Sequence, residues 1–369
     1  MIDSLNFLVR DVRWIDFKRL NRLGIYYKKF LNKQKNGYKC LCYSFDYKGI
    51  KFIFNIDYQI VIIIANAHIV LNKTDITVKD RIEYELRLQK ILQVIFNTKN
   101  VKYELNRIDY CIDIKVYEVI SYLEGKDVKK FIPADNDMKI YHYLLWYGLH
   151  SYRYMKQDRV YGTSIYLKTK RGTKNFIIYD RYAKTKNEKD KGFYRIEVQL
   201  KSKFLKNKFN KEGIIRDLDN YWSESAMIEY YFKFLHNFFN EGDYYKLYEG
   251  KRLIDKSDNT TKMKHKLIKF REDIILFTLD NLLKPKFCKE ANKFNRGRKI
   301  IMDYGCAKII KRINLKYSYA KIKNYIERLD EIGVNPISII DYNGGRTNRK
   351  SLPNLLKLAR GIAEEKYFK

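Results

Sequence analysis

A chain of 369 residues, 46% of them hydrophobic, can fill a core and is long enough for two domains or one large domain with an appendage. Its 75 Lys and Arg against 43 Asp and Glu give a formal charge of +32, spread along the whole length, which argues for a polyanion partner, most often nucleic acid. An AT-rich genome would also enrich Lys, Ile, Asn and Tyr, but it would supply Asp and Glu codons too. Five cysteines (Cys40, Cys42, Cys111, Cys288, Cys306) with no C-x-x-C pair fit free thiols in a reducing cytosol and argue against a zinc site. No signal-peptide pattern opens the chain, and the longest apolar run, Ile60 to Leu71, is too short to span a bilayer. The expectation is a cytoplasmic protein without a membrane partner.

In chain order, residues 1–36 mix aromatics with Lys and show weak helical periodicity around Trp14 to Leu31. From Tyr38 the pattern turns to β: Lys39 to Phe45 and Ile50 to Ile56 flank a turn at Asp46 to Gly49, and Gln59 to Val70 follows, predicting a meander. Thr77 to Asn97 reads as an amphipathic helix, with Ile82, Leu86, Ile91, Val94 and Ile95 at helical spacing. A strand at Arg107 to Ile114 comes next, then a helix at Val116 to Leu123 and an ambiguous stretch from Asp135 to Gly148. Thr163 to Leu200 holds three short β-prone runs joined by loops rich in Lys, Gly and Asp. Beyond Lys201 the chain predicts helices at Lys203 to Asn210, Ser223 to Asn240, Lys262 to Leu283, Lys299 to Arg312, Ser318 to Ile332 and Leu352 to Glu365. The order is that of an α+β fold: a mainly antiparallel sheet domain with packed helices over residues 1–205, then a helical C-terminal domain over 206–369.

Two strands carry the chemistry. Period-two alternation puts Arg107, Asp109, Cys111 and Asp113 on one face of the first, and Arg195, Glu197 and Gln199 on one face of the second. Acidic side chains converging from neighbouring strands suit a hard divalent cation, Mg²⁺ or Mn²⁺, which prefers oxygen ligands. The same pattern also describes an ordinary solvated sheet face on which Arg107 and Arg195 pair the acids. Tyr179 is one of 33 tyrosines, set apart only by its place after an apolar strand and beside a basic turn. Its phenol, with a free pKa of about 10, is a weak nucleophile until a cation or base activates it. None of the five histidines forms H-x-H, H-E-x-x-H or H-apolar-H, and no G-x-x-x-x-G-K-[ST] stretch exists, so ATP-driven unwinding would fall to a partner such as a host helicase. His265 and Arg271 lack the context of a tyrosine recombinase, and Gly344-Gly345-Arg346 reads as a turn.

Four segments in order, Asn106-Arg-Ile-Asp-Tyr-Cys-Ile-Asp113, Tyr166-Leu167 thirteen residues before Tyr179, Ile178-Tyr179-Asp180-Arg181 and Tyr194-Arg-Ile-Glu-Val-Gln-Leu-Lys201, resemble the replication initiation factor family, also called Rep_trans. That family holds rolling-circle plasmid initiators, related relaxases of conjugative elements and some phage initiators. The resemblance covers about residues 100 to 202. It implies Tyr179 as the nucleophile that attacks a DNA phosphodiester and stays linked to the 5′-phosphate, and Asp109 and Glu197, with Asp113 as a third, as metal ligands. It further implies Arg195 and Arg181 near the phosphate, and a basic turn of Lys168, Lys170, Arg171 and Lys174, with Arg107, on the DNA. Lys168 stands where the family has Gly, Ile177 replaces a common Arg, Arg181 replaces Lys, and Gln199 replaces a second Glu. The expected partners are an origin hairpin and a single-stranded nick site, with a host helicase and a second copy of the chain as further candidates. Two other functions fit the bare pattern: a non-catalytic DNA-binding protein on the same scaffold, and a metal-dependent nuclease that uses water.

Overall fold

The structure, a computed structural model, describes residues 2–33, 37–115, 155–161, 164–169, 171–239, 241–282, 316–339, 350–352 and 354–368. The helices expected at 116–123 and 299–312, the stretch 135–148, the Gly344-Gly345-Arg346 turn, Cys288, Cys306 and Lys170 lie outside them.

Ten strands form one antiparallel sheet: β1 (Ile2–Val9), β2 (Tyr27–Lys33), β3 (Lys39–Tyr47), β4 (Ile50–Asn55), β5 (Ile60–Asn66), β6 (Glu104–Lys115), β7 (Met155–Tyr161), β8 (Ser164–Thr169), β9 (Lys174–Asp180) and β10 (Phe193–Lys201). Their order across the sheet is β2-β3-β4-β5-β1-β6-β10-β9-β8-β7. The predicted meander is there as β3, β4 and β5, and its first hairpin turns on Lys48 and Gly49, both with positive φ (49° and 74°), the geometry that matches the twist of the flanking strands. The N-terminal segment departs from its weak helical periodicity. Only Phe17–Arg22 is helical (α1), and the flanking residues supply a central strand, β1, and an edge strand, β2. Backbone pairing with β5 and β6 on either side overrides the weak local preference of β1.

The run from Gln59 to Val70 divides: Asn66 accepts hydrogen bonds from the amides of His68 and Ile69, and capping by this side chain turns the chain into α2 (Ala67–Leu71). Helix α3 (Arg81–Phe96) follows, as its periodicity predicts, preceded by a capping box between Thr77 and Asp80. Its buried Tyr84, Leu88 and Leu92 pack over one face of the sheet with Phe7, Phe52, Ile108 and Tyr110. Beyond β10 come α5 (Ser202–Glu212), α6 (Leu218–Tyr221), α7 (Glu224–Met227) and α8 (Lys233–Phe239), after the short α4 (Arg181–Thr185) between β9 and β10. Helices α5 to α8 close the same face as α3. Tyr110 donates to the Tyr221 carbonyl (2.6 Å) and Tyr231 to the Ile196 carbonyl (3.0 Å), so the two buried phenols join sheet to helices without unpaired oxygens.

A second core, with Ile254, Leu267, Phe270, Ile326 and Leu329, lies among α9 (Leu247–Lys256), α10 (Thr261–Leu282) and α11 (Tyr319–Glu331). The last helix, α12 (Leu355–Lys366), returns to the first core, where Leu355, Leu356, Ala359 and Ala363 are buried. A two-stranded sheet, β11 (Tyr244–Tyr245) with β12 (Ser351–Leu352), completes the described elements. Among the described residues, no helix is long and apolar enough to cross a membrane.

Candidate functional site

With helices covering one face, the other face of the central strands collects the polar residues. Three cross-strand rows define it. Tyr179 of β9 lies opposite Arg195 of β10, which lies opposite Asp113 of β6. In the next row Ile177 faces Glu197, which faces Cys111, and in the third Asn175, Gln199, Asp109 and Ser4 follow one another across four strands. Directly paired residues share a face with Cβ atoms about 5 Å apart. The tyrosine and the acids singled out in the sequence therefore stand on one side of one sheet.

The carboxylates do not gather as the pattern predicts. Asp109 and Glu197 meet Asp3, and oxygens of these three lie within 4.8 Å of one another. Asp3 sits where β1 slips by one residue against β6, between the pairs Ile2–Tyr110 and Ser4–Asp109, and a bulge of this kind re-aims a side chain. Nothing in the alternation of β6 or β10 points to a residue a hundred positions upstream; the signal for Asp3 is the lone acid in an otherwise apolar and neutral strand. Asp113, expected as the third ligand, is engaged elsewhere. It accepts from Arg195 Nε (2.7 Å) and Nη2 (2.8 Å) and from Arg181 Nη1 (2.6 Å), a bidentate pair plus a second guanidinium. These cations hold its pKa below the usual carboxylate value against the opposing effect of burial.

Asp109 and Glu197 are 1% and 3% exposed. Asp109 pairs with Arg107, as the solvated-face alternative anticipated, but burial and the neighbouring Glu197 charge push its carboxyl up to about 8. Glu197 is also raised, by burial first and the Asp3 charge next. It accepts a hydrogen bond from the side-chain amide of Gln199 (2.5 Å), which reaches towards Asp109 as well (3.5 Å). Gln199 turns its oxygen away, to Asn175 Nδ2 (2.7 Å), so at the position of the family's second Glu this chain offers donors to the acids rather than a ligand. Three closely spaced carboxylates, two of them desolvated, are costly without a cation. Oxygen donors of this kind fit Mg²⁺ or Mn²⁺. The adjacent Cys111 thiol is pushed by burial up to about 12, so it offers no thiolate for a softer metal.

Tyr179 is the penultimate residue of β9 and is 4% exposed. Asp180 caps α4 by accepting from the Ala183 amide, and the tight turn brings Lys184 back over the strand. Its ammonium donates to the Tyr179 hydroxyl (3.0 Å) and stands 4.1 Å from the ring centre. Burial raises the phenol's pKa and Arg195 opposes the rise. Arg195 also pairs with Asp3, so one buried guanidinium links the tyrosine row to the carboxylate group. Lys184 and Asp3 are the two site residues that alternation on the motif strands did not reveal. On the same side, His68 Nδ1 contacts the Lys73 carbonyl (3.1 Å), while its Nε2 is buried without a hydrogen-bond partner.

The basic turn divides. Arg171 is exposed in the β8–β9 turn, which the Thr169 hydroxyl closes by accepting from the amides of Thr173 and Lys174. Lys168 pairs through its backbone with Asn175. Lys174 departs from the expectation. An odd number of residues from Tyr179, it shares the helix-covered face with Phe176, and its ammonium lies 4.5 Å and 4.7 Å from the ring centres of Phe204 and Phe234. Desolvation there lowers its pKa to about 8. It ties the sheet to the helices and does not face the carboxylates.

No family model matches the chain, and no curated protein matches it. A solved structure described as the rolling circle replication initiator protein from Geobacillus stearothermophilus is similar to it at 13% identity, covering 55% of this chain and 73% of that one, with a TM-score of 0.28. A likeness of that size carries neither fold nor function across, and the functional reading stands on the site itself.

Proposed function

We propose that the chain is a metal-dependent, site-specific DNA strand-nicking and rejoining enzyme of the rolling-circle initiator or relaxase type, with Tyr179 as nucleophile. The observation that carries this reading is the placement of Tyr179 one row from Glu197 on the face that also holds Asp3 and Asp109. Asp3, Asp109 and Glu197 would hold the cation, which when bound offsets charge developing on the scissile phosphate. The Lys184 ammonium, already on the phenol oxygen, stabilises the phenolate once its proton leaves. The phenolate oxygen then forms a bond to phosphorus and the bond from phosphorus to the 3′ oxygen breaks. A 3′-hydroxyl, which takes up a proton, and a 5′-phosphotyrosine result. Attack of a 3′-hydroxyl on that ester reverses the exchange, so rejoining needs no ATP. Arg195 and Arg181 border the reacting row and balance the phosphate charge, Arg195 from a position fixed by Asp3 and Asp113.

One observation favours a second reading. Tyr179 is almost fully buried and its phenol is hard to ionise, which suits a nuclease in which water is the nucleophile at the same carboxylates. A labelled hairpin oligonucleotide incubated with the protein and Mn²⁺, then run on a denaturing gel, separates the two. A protein–DNA adduct that disappears in Tyr179→Phe supports the tyrosine mechanism. Cleavage without an adduct supports the nuclease, and binding without cleavage supports a non-catalytic DNA-binding protein.

A further inference from the structure

The far end of the sheet has a character of its own. Strand β2 is the edge strand, and all seven of its residues, Tyr-Lys-Lys-Phe-Leu-Asn-Lys, are exposed. Of the fifteen large hydrophobic side chains exposed among the described residues, eight fall between Trp14 and Tyr58, with Trp14 at 74% and Tyr26 at 78%. From residue 14 to residue 58 the sequence has ten Lys and Arg against three Asp and no Glu. Two of those acids are occupied by backbone amides, Asp16 by that of Arg19 and Asp57 by that of Leu41. Lysines alone on an edge strand discourage edge-to-edge pairing. Exposed rings set between them do not serve that end, and a large apolar surface left open calls for an occupant.

The register connects this edge to the site. Asp109 pairs with Ser4, Ser4 with Asn66, and the face continues through Ile62, Ile53 and Ser44 to Lys28, with Phe30 next along it. Five strand spacings separate β6 from β2, about 24 Å. On the other side of the strand Tyr27 packs on Phe17 and Tyr43 (ring centres 4.5 Å and 5.4 Å apart), and Phe17 on Trp14 (6.4 Å), which holds the exposed Trp14 ring at the edge.

We infer that the β2 edge is a docking platform for single-stranded nucleic acid, gripping the strand several nucleotides from the nick. Lys28, on the face continuous with the site, and Lys29 and Lys33, on the other side of the same edge strand, neutralise phosphates as the nucleic acid crosses the edge. Phe30 on the first side and Trp14 on the second stack unpaired bases, with the exposed Tyr26, without reading sequence. This rests on the nucleic-acid reading above but concerns a different surface. The test uses the full chain in EDTA, with fluorescence anisotropy of a labelled thirty-nucleotide single strand across a salt series. The triple variant Lys28→Ala/Lys29→Ala/Lys33→Ala is expected to bind about tenfold more weakly or worse, with the salt slope reduced by about 2, since each phosphate contact contributes about 0.7. Tyr26→Ala/Phe30→Ala is expected to weaken binding with the slope unchanged. Both variants should cleave a short oligonucleotide spanning only the nick as the parent does in Mn²⁺, a readout of the carboxylate site alone. Parental affinity and slope in both variants would overturn the platform and leave the nicking reading standing. A parent chain that binds no single strand would overturn it too. So would variants that convert a dimer to a monomer at unchanged DNA affinity, which would make this edge an interface between copies.

Discussion

Lys184 acts on Tyr179 because the chain turns sharply between them. The Asp180 cap starts α4 at the residue after the tyrosine, and one helical turn later the ammonium is on the phenol. Replacing it with an apolar side chain of similar length removes the charge that favours the phenolate. Lys184→Met is expected to slow single-turnover cleavage roughly 100-fold, the usual scale for one preorganised electrostatic contact, with Lys184→Arg recovering part of the loss. An unchanged rate in Lys184→Met would remove the lysine from the mechanism. The carboxylates make a separate prediction at this scale. Asp109 titrates near 8 when folded and in the ordinary carboxylate range when unfolded, so between those limits the folded state binds more protons. Metal-free stability should therefore fall as pH rises from about 4 to 8, and Mn²⁺ should raise the melting temperature more at the top of that window than at the bottom. Asp113, whose pKa is lowered, adds stability that is lost only as pH falls below the usual carboxylate range. Melting curves with and without Mn²⁺ check this; a metal-free melting temperature that climbs from pH 5 to 8 contradicts it, and Asp109→Asn should flatten the profile.

Elements carry the precision of the site, and they were unequally legible. The alternation in β6 and β10 was strong because each strand buries one face under helices and leaves the other polar. Asp109 could therefore be placed on one face of β6, and Arg195 and Glu197 on one face of β10, from spacing alone, while their sharing one side of the sheet follows from the pairing of the two strands. Helices with a clear apolar stripe or a capping side chain, such as α3 and α11, were legible for the same reason. β1 and β2 were not. β1 pairs with strands distant in sequence, and the bulge that delivers Asp3 is a tertiary event between β1 and β6. β2 pairs with its chain neighbour β3, but its seven residues are all exposed and carry no period-two apolar pattern to read. Lys174 was misplaced because a charged residue on a core-facing position looks like a loop cation until the rings of Phe204 and Phe234 are seen around it. A contact in the second core tests packing away from the site. Gly250 of α9 lies against the fully buried Arg271 of α10, and an added Cβ would fall 1.7 Å from its Nη1. Gly250→Ala is expected to cost about 1–3 kcal/mol in urea denaturation, the usual penalty for overpacking, while single-strand cleavage by the folded protein stays unchanged.

Across the whole molecule, charge and topology agree. The formal charge of +32 belongs to a chain in which three carboxylates spaced to hold a cation, Asp3, Asp109 and Glu197, are sunk into the middle of a sheet. A polyanion drawn to the basic surface would meet repulsion there unless a cation intervenes, so under the proposed function a bound metal would serve phosphate approach as well as chemistry. The sheet joins that centre to the aromatic, lysine-rich edge at β2 across five strand spacings, with the helices packed on its other face. The proposed chemistry requires one particular atom of the protein, the Tyr179 phenol oxygen, to become bonded to DNA. Protein reacted with the hairpin oligonucleotide in Mn²⁺, digested with trypsin and nuclease and examined by mass spectrometry, identifies it. A 5′-phosphonucleotide on Tyr179, absent when Mn²⁺ is replaced by EDTA and absent in Asp3→Asn, is the predicted result; the same adduct on Tyr182 or another tyrosine, or cleaved DNA with Tyr179 unmodified, would contradict it.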